Sequence, residues 1–185
     1  MDQIITAVSQ MNFLHVLWLF FFVFVAHELE EWNIDRFEHQ YFTGLPPAAT
    51  DRSARMWIAC VVLIGLLWVT AATLPASPAS AAWIFLPAIA ILIQNALQHV
   101  YWSLYFRRYA PGVVTALILI IPIGLYIMIT AVQRGYVPAW YAAIWAVLIA
   151  AGLVQTVIAG SRMTPLIRAI NLIGIQLAEK IPLRR

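Results

Sequence analysis

The chain has 185 residues, of which 63% are hydrophobic and only 10% charged. Soluble domains carry about 25% charged residues, so the composition excludes an ordinary water-soluble domain and predicts an integral membrane protein, one membrane domain over residues 1–185. The net charge of +3 does not point to nucleic acid, because the basic residues flank apolar runs as topology requires.

The first apolar run covers about 13–32. No Lys or Arg precedes it and no small-residue cleavage site follows, so no cleavable signal peptide is expected and the run reads as a retained span. His15 falls near its outer end and reads as interfacial. A long loop follows, about 33–55, with Pro46 and Pro47. The second run covers about 56–74 and contains the single cysteine, Cys60, which cannot form an internal disulfide and reads as a small buried hydrophobe. The Pro- and Ser-rich "LPASPAS" marks a turn. The third run covers about 82–105, the fourth about 113–132 and the fifth about 139–159, separated by the tight charged turns "RRYAPG" and "QRGYVP". Pro122 predicts a kink in the fourth run. Lipid forces the backbone to bond internally, so the runs are expected to be helices. The fold class is an all-α polytopic bundle of five transmembrane helices. A C-terminal amphipathic helix over about 165–180 completes it, capped by Thr164 and Pro165. Leu166, Ile170, Ile173 and Leu177 share its apolar face, which is expected to lie in the cytoplasmic membrane interface or under the bundle.

Lys and Arg segregate by side. The second and fourth loops and the amino terminus carry only Arg134; the first and third loops and the tail carry the other ten. The positive-inside rule then places the amino terminus outside and the carboxyl terminus in the cytoplasm, in a bacterial inner membrane.

Polar residues inside spans are costly and functional by default. On the first span, Glu30 lies 60° to one side of His27 and Glu31 40° to the other, at about 100° per residue. Glu28 points elsewhere and reads as a snorkelling or interfacial carboxylate. Asp35, Glu38 and His39 read as a solvated helix end. The third span supplies Gln94, Asn95, Gln98 and His99, with Asn95 and His99 on one face. Both spans run in the same direction, and His27 and His99 each lie about six residues from the same end, hence at one depth. Thr115, Gln155, Thr156, Tyr101, Tyr105 and Arg55 are further candidates near that depth. Clustered carboxylates and imidazoles need a remedy: a metal ion, an arginine partner or a raised carboxylate pKa. Two imidazoles, two carboxylates and an amide oxygen suit a mononuclear or a dinuclear site of zinc, iron or manganese. Glu31 stands where the second histidine of H-E-x-x-H would be, so this is not that zinc motif.

"HELEE" (His27 to Glu31) and "NALQH" (Asn95 to His99), in this order and each within an apolar span, resemble the H-x-x-E-E and N-x-x-x-H motifs of the HXXEE-domain family of small polytopic membrane proteins. The resemblance covers roughly residues 13–132. It carries over His27, Glu30, Glu31, Asn95 and His99, and implies an enzymatic role without naming a reaction.

The favoured expectation is a divalent-metal enzyme acting on a lipid-like or amphiphilic substrate at the cytoplasmic leaflet, by hydrolysis rather than oxidation. His27, Glu30, Glu31, His99 and Asn95 would hold the metal, Asn95 as a ligand or by orienting His99. Glu30, Glu31 and His27 are the catalytic candidates, a glutamate serving as general base. Membrane lipid is the expected surrounding, no nucleic-acid partner is expected, and a homo-oligomer remains open. The alternatives are a proton- or cation-binding relay or transporter and a structural accessory subunit. Five spans and no inverted repeat count against transport.

Overall fold

The computed structural model describes residues 12–181, which form seven helices. Helix α1 is Phe13–Glu30, α2 Ile34–Tyr41, α3 Asp51–Thr73, α4 Pro78–Phe106, α5 Val113–Gln133, α6 Ala139–Ala159 and α7 Pro165–Lys180. Five of them (α1, α3, α4, α5 and α6) are long and apolar enough to cross a membrane, as composition and periodicity predict. Arg184 and Arg185 lie outside the described residues.

Burial ranks the spans. Half of the apolar window of α1 and of α4 is buried, against 6% of that of α6, so α1 and α4 are the inner helices. Phe20, Leu17, Leu86, Ile89, Ile120 and Ile127 are fully enclosed between α1, α4 and α5. The peripheral α3 and α6 expose Leu67, Val147 and Ile158, the surface that a lipid-facing helix presents.

Caps set the ends. Asn12 Oδ1 accepts from the Leu14 N–H at the start of α1. Thr50 and Ser53 form a reciprocal capping box on α3, and Ser77 followed by Pro78 opens α4. At the end of α1 the chain turns into a second helix. The last turn of α1 tightens through Trp32 N–H to the Leu29 carbonyl and then restarts as α2. The expected solvated end at 35–39 is therefore a short helix that buries Asp35 and Glu38 and exposes His39. Glu28 is also buried rather than interfacial. Cys60 is only half-buried.

Prolines act in two ways. Pro87, within α4, has no N–H for the Trp83 carbonyl, and the Tyr141 hydroxyl of α6 donates to that oxygen at 2.7 Å. An unsatisfied carbonyl at membrane depth costs several kcal/mol, so this bond ties α6 to α4. Before Pro122, residues Ala116–Ile120 form a π-helical turn, with Ile121 N–H donating to the Ala116 carbonyl. The wider turn accommodates the proline inside a continuous span.

Helix α7 packs on α3. Its inward face is Ile167, Asn171 and Gly174; Leu166 and Ile173 of the expected apolar stripe point outward, 58% and 43% exposed. The rotation has a physical cause. A Cβ at Gly174 would stand 2.6 Å from the Ser53 carbonyl oxygen, so glycine permits the close approach, and Asn171 Nδ2 donates to Glu38 Oε2 at 3.2 Å.

Candidate metal centre

The two motifs meet. His27 on α1 and His99 on α4 are fully buried, with ring centroids 5.3 Å apart and ring planes nearly perpendicular. Glu31, in the turn after α1, puts Oε1 3.0 Å from His27 Nε2 and 2.9 Å from His99 Nε2. Asn95 Oδ1 lies 2.9 Å from His27 Nε2. His27, Glu31 and His99 can each offer one ligand atom within 4.8 Å of the others. Among the described residues no lysine or arginine forms an ion pair with Glu31; Arg55 instead turns to the Trp32 carbonyl, Asn33 and Asp51.

Glu30 goes elsewhere. Its carboxylate accepts from Val114 N–H at 3.0 Å, Thr115 N–H at 2.8 Å, the Thr115 hydroxyl at 2.5 Å and the Tyr109 hydroxyl at 2.6 Å. These backbone donors are the unpaired N–H groups of the first turn of α5. The N-cap of α5 is Gly112, which has no side chain to supply, so Glu30 caps the helix from α1. Tyr109, outside the spans, has its hydroxyl pKa pushed up to about 12 by burial and by the carboxylate it donates to.

Thr115 links the two carboxylate positions. Its hydroxyl has one proton, and the Glu30 carboxylate is its closest and strongest acceptor. Thr115 Oγ1 must then accept at 2.7 Å from His27 Nδ1–H. That puts a proton on Nδ1, so in the neutral ring the lone pair of Nε2 points toward Glu31 and Asn95. As placed, Nε2 of the neutral ring then stands within hydrogen-bond distance of two acceptors, Glu31 Oε1 at 3.0 Å and Asn95 Oδ1 at 2.9 Å. Turning the Asn95 amide over would satisfy one of these contacts and leave the carboxylate unanswered. Glu31 Oε1 and both ring nitrogens of His99 are buried without a hydrogen-bond partner, the 2.9 Å approach of His99 to Glu31 being misaligned for one. Two imidazoles converging on a buried carboxylate oxygen that has no aligned hydrogen-bond partner and no lysine or arginine in reach fit a cation.

Gly112 completes the wall. Its φ of +93° is a left-handed conformation that glycine adopts freely. A Cβ there would meet His27 Cε1 at 2.9 Å and Glu31 Oε1 at 3.1 Å.

The cluster faces a cavity of about 120 Å³, bordered by Glu31, Asn95 and His99 at one end and by Glu38 and Asn171 at the other. Glu38, on α2 and outside the spans, has its carboxyl pushed up to about 7, chiefly by burial, with Asp35 and Glu31 adding repulsion and Asn171 and His39 opposing. Asp35 is also shifted upward, by burial first and by Asp51, against His39.

A sequence model for a "protein of unknown function with HXXEE motif" matches residues 18–127. The chain belongs to the HXXEE family. No curated protein and no solved structure matches it significantly. In this HXXEE protein the motif's glutamates do different things: Glu31 joins His27 and His99, while Glu30 caps α5 and steers His27 through Thr115. Of the other polar residues, Gln98 Nε2 donates to Thr156 at 2.9 Å and Gln94 packs on Gly152, so this pair serves the α4–α6 contact. Tyr101 bonds weakly to the Val157 carbonyl and Tyr105 packs on Gly160. Motif reading missed Tyr109, Gly112, Glu38 and Asn171. Gly112 after Pro111 reads as an ordinary turn. Asn171 carried a signal, an amide in the middle of an otherwise amphipathic helix.

Proposed function

We propose that this HXXEE protein is a metal-dependent membrane enzyme. His27 Nε2, His99 Nε2 and Glu31 Oε1 would hold one divalent ion of the zinc, iron or manganese class, with Asn95 as a further oxygen donor. The observation that carries the reading is the convergence of His27, His99 and Glu31, one potential ligand atom each, around a buried carboxylate oxygen without a hydrogen-bond partner. The Glu30–Thr115–His27 chain supports it, because ligating histidines usually anchor their second nitrogen on such a partner. A bound ion would supply Lewis-acid polarisation and a lowered water pKa.

The protein's own groups supply the rest. Trp102, Ile58 and Ile167 give the polar cavity an apolar wall. Glu38, titrating close to neutrality at the far end, is suited to accept or return a proton. Hydrolysis of an ester or amide in an amphiphilic substrate fits this set better than oxidation, and the basic residues around this end favour the cytoplasmic leaflet. The test is metal content. Protein purified in detergent and offered zinc, iron and manganese separately should retain about one ion per chain, and His99→Ala should retain none. A wild type that retains none of the three overturns the proposal.

A proton relay is the second reading. It is favoured by the succession Glu30–Thr115–His27–Glu31–His99, each group within 3.0 Å of the next. Proton flux in liposomes that disappears in Thr115→Val, from a protein that binds no metal, would select it.

A further inference from the structure

A second cavity lies beside the first and is wholly apolar. Phe20, Phe21 and Phe24 of α1, Val61 and Trp68 of α3, and Phe85, Ala88 and Leu92 of α4 form a groove of about 80 Å³. Its rim residues Ile64 and Ile91 are 45% and 54% exposed. On spanning helices that exposure faces lipid.

The two cavities are consecutive lengths of one seam. On α3, Ile58 borders the polar cavity and Val61, one turn on, borders the apolar groove. On α4, Asn95 borders the polar cavity and Leu92, one turn back, the groove. On α1, Phe21, Phe24, Glu28 and Glu31 recur at helical spacing on one face. The two phenylalanines line the groove, Glu31 lines the polar cavity, and Glu28 is buried between them. Lining chemistry thus changes from carboxylate, imidazole and amide to aromatic and aliphatic within one helical turn.

The groove has a stop. Trp68 Nε1 donates to the Ile84 carbonyl at 2.8 Å, clasping α3 to α4 at the far end. From Ile58 to Trp68 the seam is roughly 15 Å long at 1.5 Å per residue. It runs along the helix axes from the polar end of the spans past their middle, the direction in which an acyl chain lies in a bilayer.

We infer that this α3–α4 seam binds a single-chain amphiphile, with the polar head beside His99 and Glu31 and the acyl chain between Val61, Ala88 and Trp68. The inference names the substrate class of the site proposed above and rests on that reading only for the head-group end. Lateral access past Ile64 and Ile91 admits the chain directly from the bilayer, and Trp68 limits its length.

Photolabelling tests it. The protein in phosphatidylcholine nanodiscs is given a lysophospholipid carrying a mid-chain diazirine, and adducts are mapped by mass spectrometry. Label should concentrate on Val61, Ile64, Ala88 and Leu92, and exceed that on the lipid-facing residues Val147 and Val154 of α6. Ala88→Leu fills the groove and Ile64→Trp covers its rim. Each should lower groove labelling by roughly tenfold, equivalent to about 1.4 kcal/mol of denied apolar burial, while metal content stays at the wild-type level. Ile64→Trp lies on the exposed surface and guards against a folding defect at Ala88. Equal labelling of the groove and of α6 identifies annular lipid and overturns the inference, whatever the metal content. Groove labelling in a protein without metal supports the seam and sinks the metal site alone.

Discussion

The Thr115 hydroxyl stands 2.7 Å from His27 Nδ1 and holds that ring in one tautomer. Because the same oxygen donates to Glu30, a carboxylate outside the His27–Glu31–His99 cluster decides which nitrogen of His27 carries the proton in the neutral ring. Thr115→Val removes this control and leaves Glu30 and His27 each short of a partner, at about 1–3 kcal/mol. We expect lower thermal stability and a changed Nδ1/Nε2 pattern for His27 in nitrogen-15 spectra. Thr115→Ser should restore both. A valine variant with the wild-type imidazole spectrum would refute the tautomer assignment.

The motif's two glutamates should separate on mutation. Glu31→Gln removes the charge shared by two imidazoles and should abolish metal retention in mass-spectrometric assays. Glu30→Gln should weaken metal affinity by about 10–100-fold, the effect of losing a group that orients a ligand. Equal losses in the two variants would contradict the division of labour.

Gly112→Ala tests the wall of the site. The residue sits at φ +93° and its Cβ would press on His27 and Glu31. The strained backbone alone should cost about 1–3 kcal/mol. Gly44, also at positive φ but with open space around it, is the control: Gly44→Ala should lower the unfolding temperature and leave metal content unchanged, whereas Gly112→Ala should lower both.

Glu38 gives a pH dependence of known sign. Its carboxyl is pushed up to about 7 in the folded protein, above the ordinary value of 4.5. Between those values the unfolded chain has released the proton and the folded chain still holds it, so unfolding is favoured as pH rises. The stabilisation is complete below the unfolded value and is lost as pH passes through about 7. Melting temperatures in detergent should fall from pH 5 to pH 7.5, and Glu38→Gln should flatten that slope. An unchanged slope in the variant would assign the effect to another group.

Helix boundaries were largely legible in the sequence. The span over 139–159 and the tail helix over 165–180 lie between proline or threonine caps and glycine or isoleucine ends, and those local signals fix them. The amphipathic face of the tail was not legible. Of the apolar stripe, Ile170 and Leu177 are half-buried while Leu166 and Ile173 are exposed, because Gly174 against Ser53 and Asn171 against Glu38 set the inward face. An apolar side chain at a membrane end has two acceptable surroundings, protein and lipid, and hydrophobicity cannot choose between them. The same ambiguity hid Glu38: a carboxylate following a span reads as leaving for water until a second helix is seen to cover it.

For the candidate site, the sequence by itself determined depth. Helix periodicity and apolar-run ends put His27 and His99 at one level and Asn95 on the His99 face, because lipid allows the backbone one regular path. Only the tertiary structure decided which carboxylate joins them. Glu30 and Glu31 are adjacent, of the same residue type and about 100° apart around the helix. The first turn of α5, with its unpaired N–H groups and its glycine cap, draws Glu30 away and leaves Glu31 to the imidazoles.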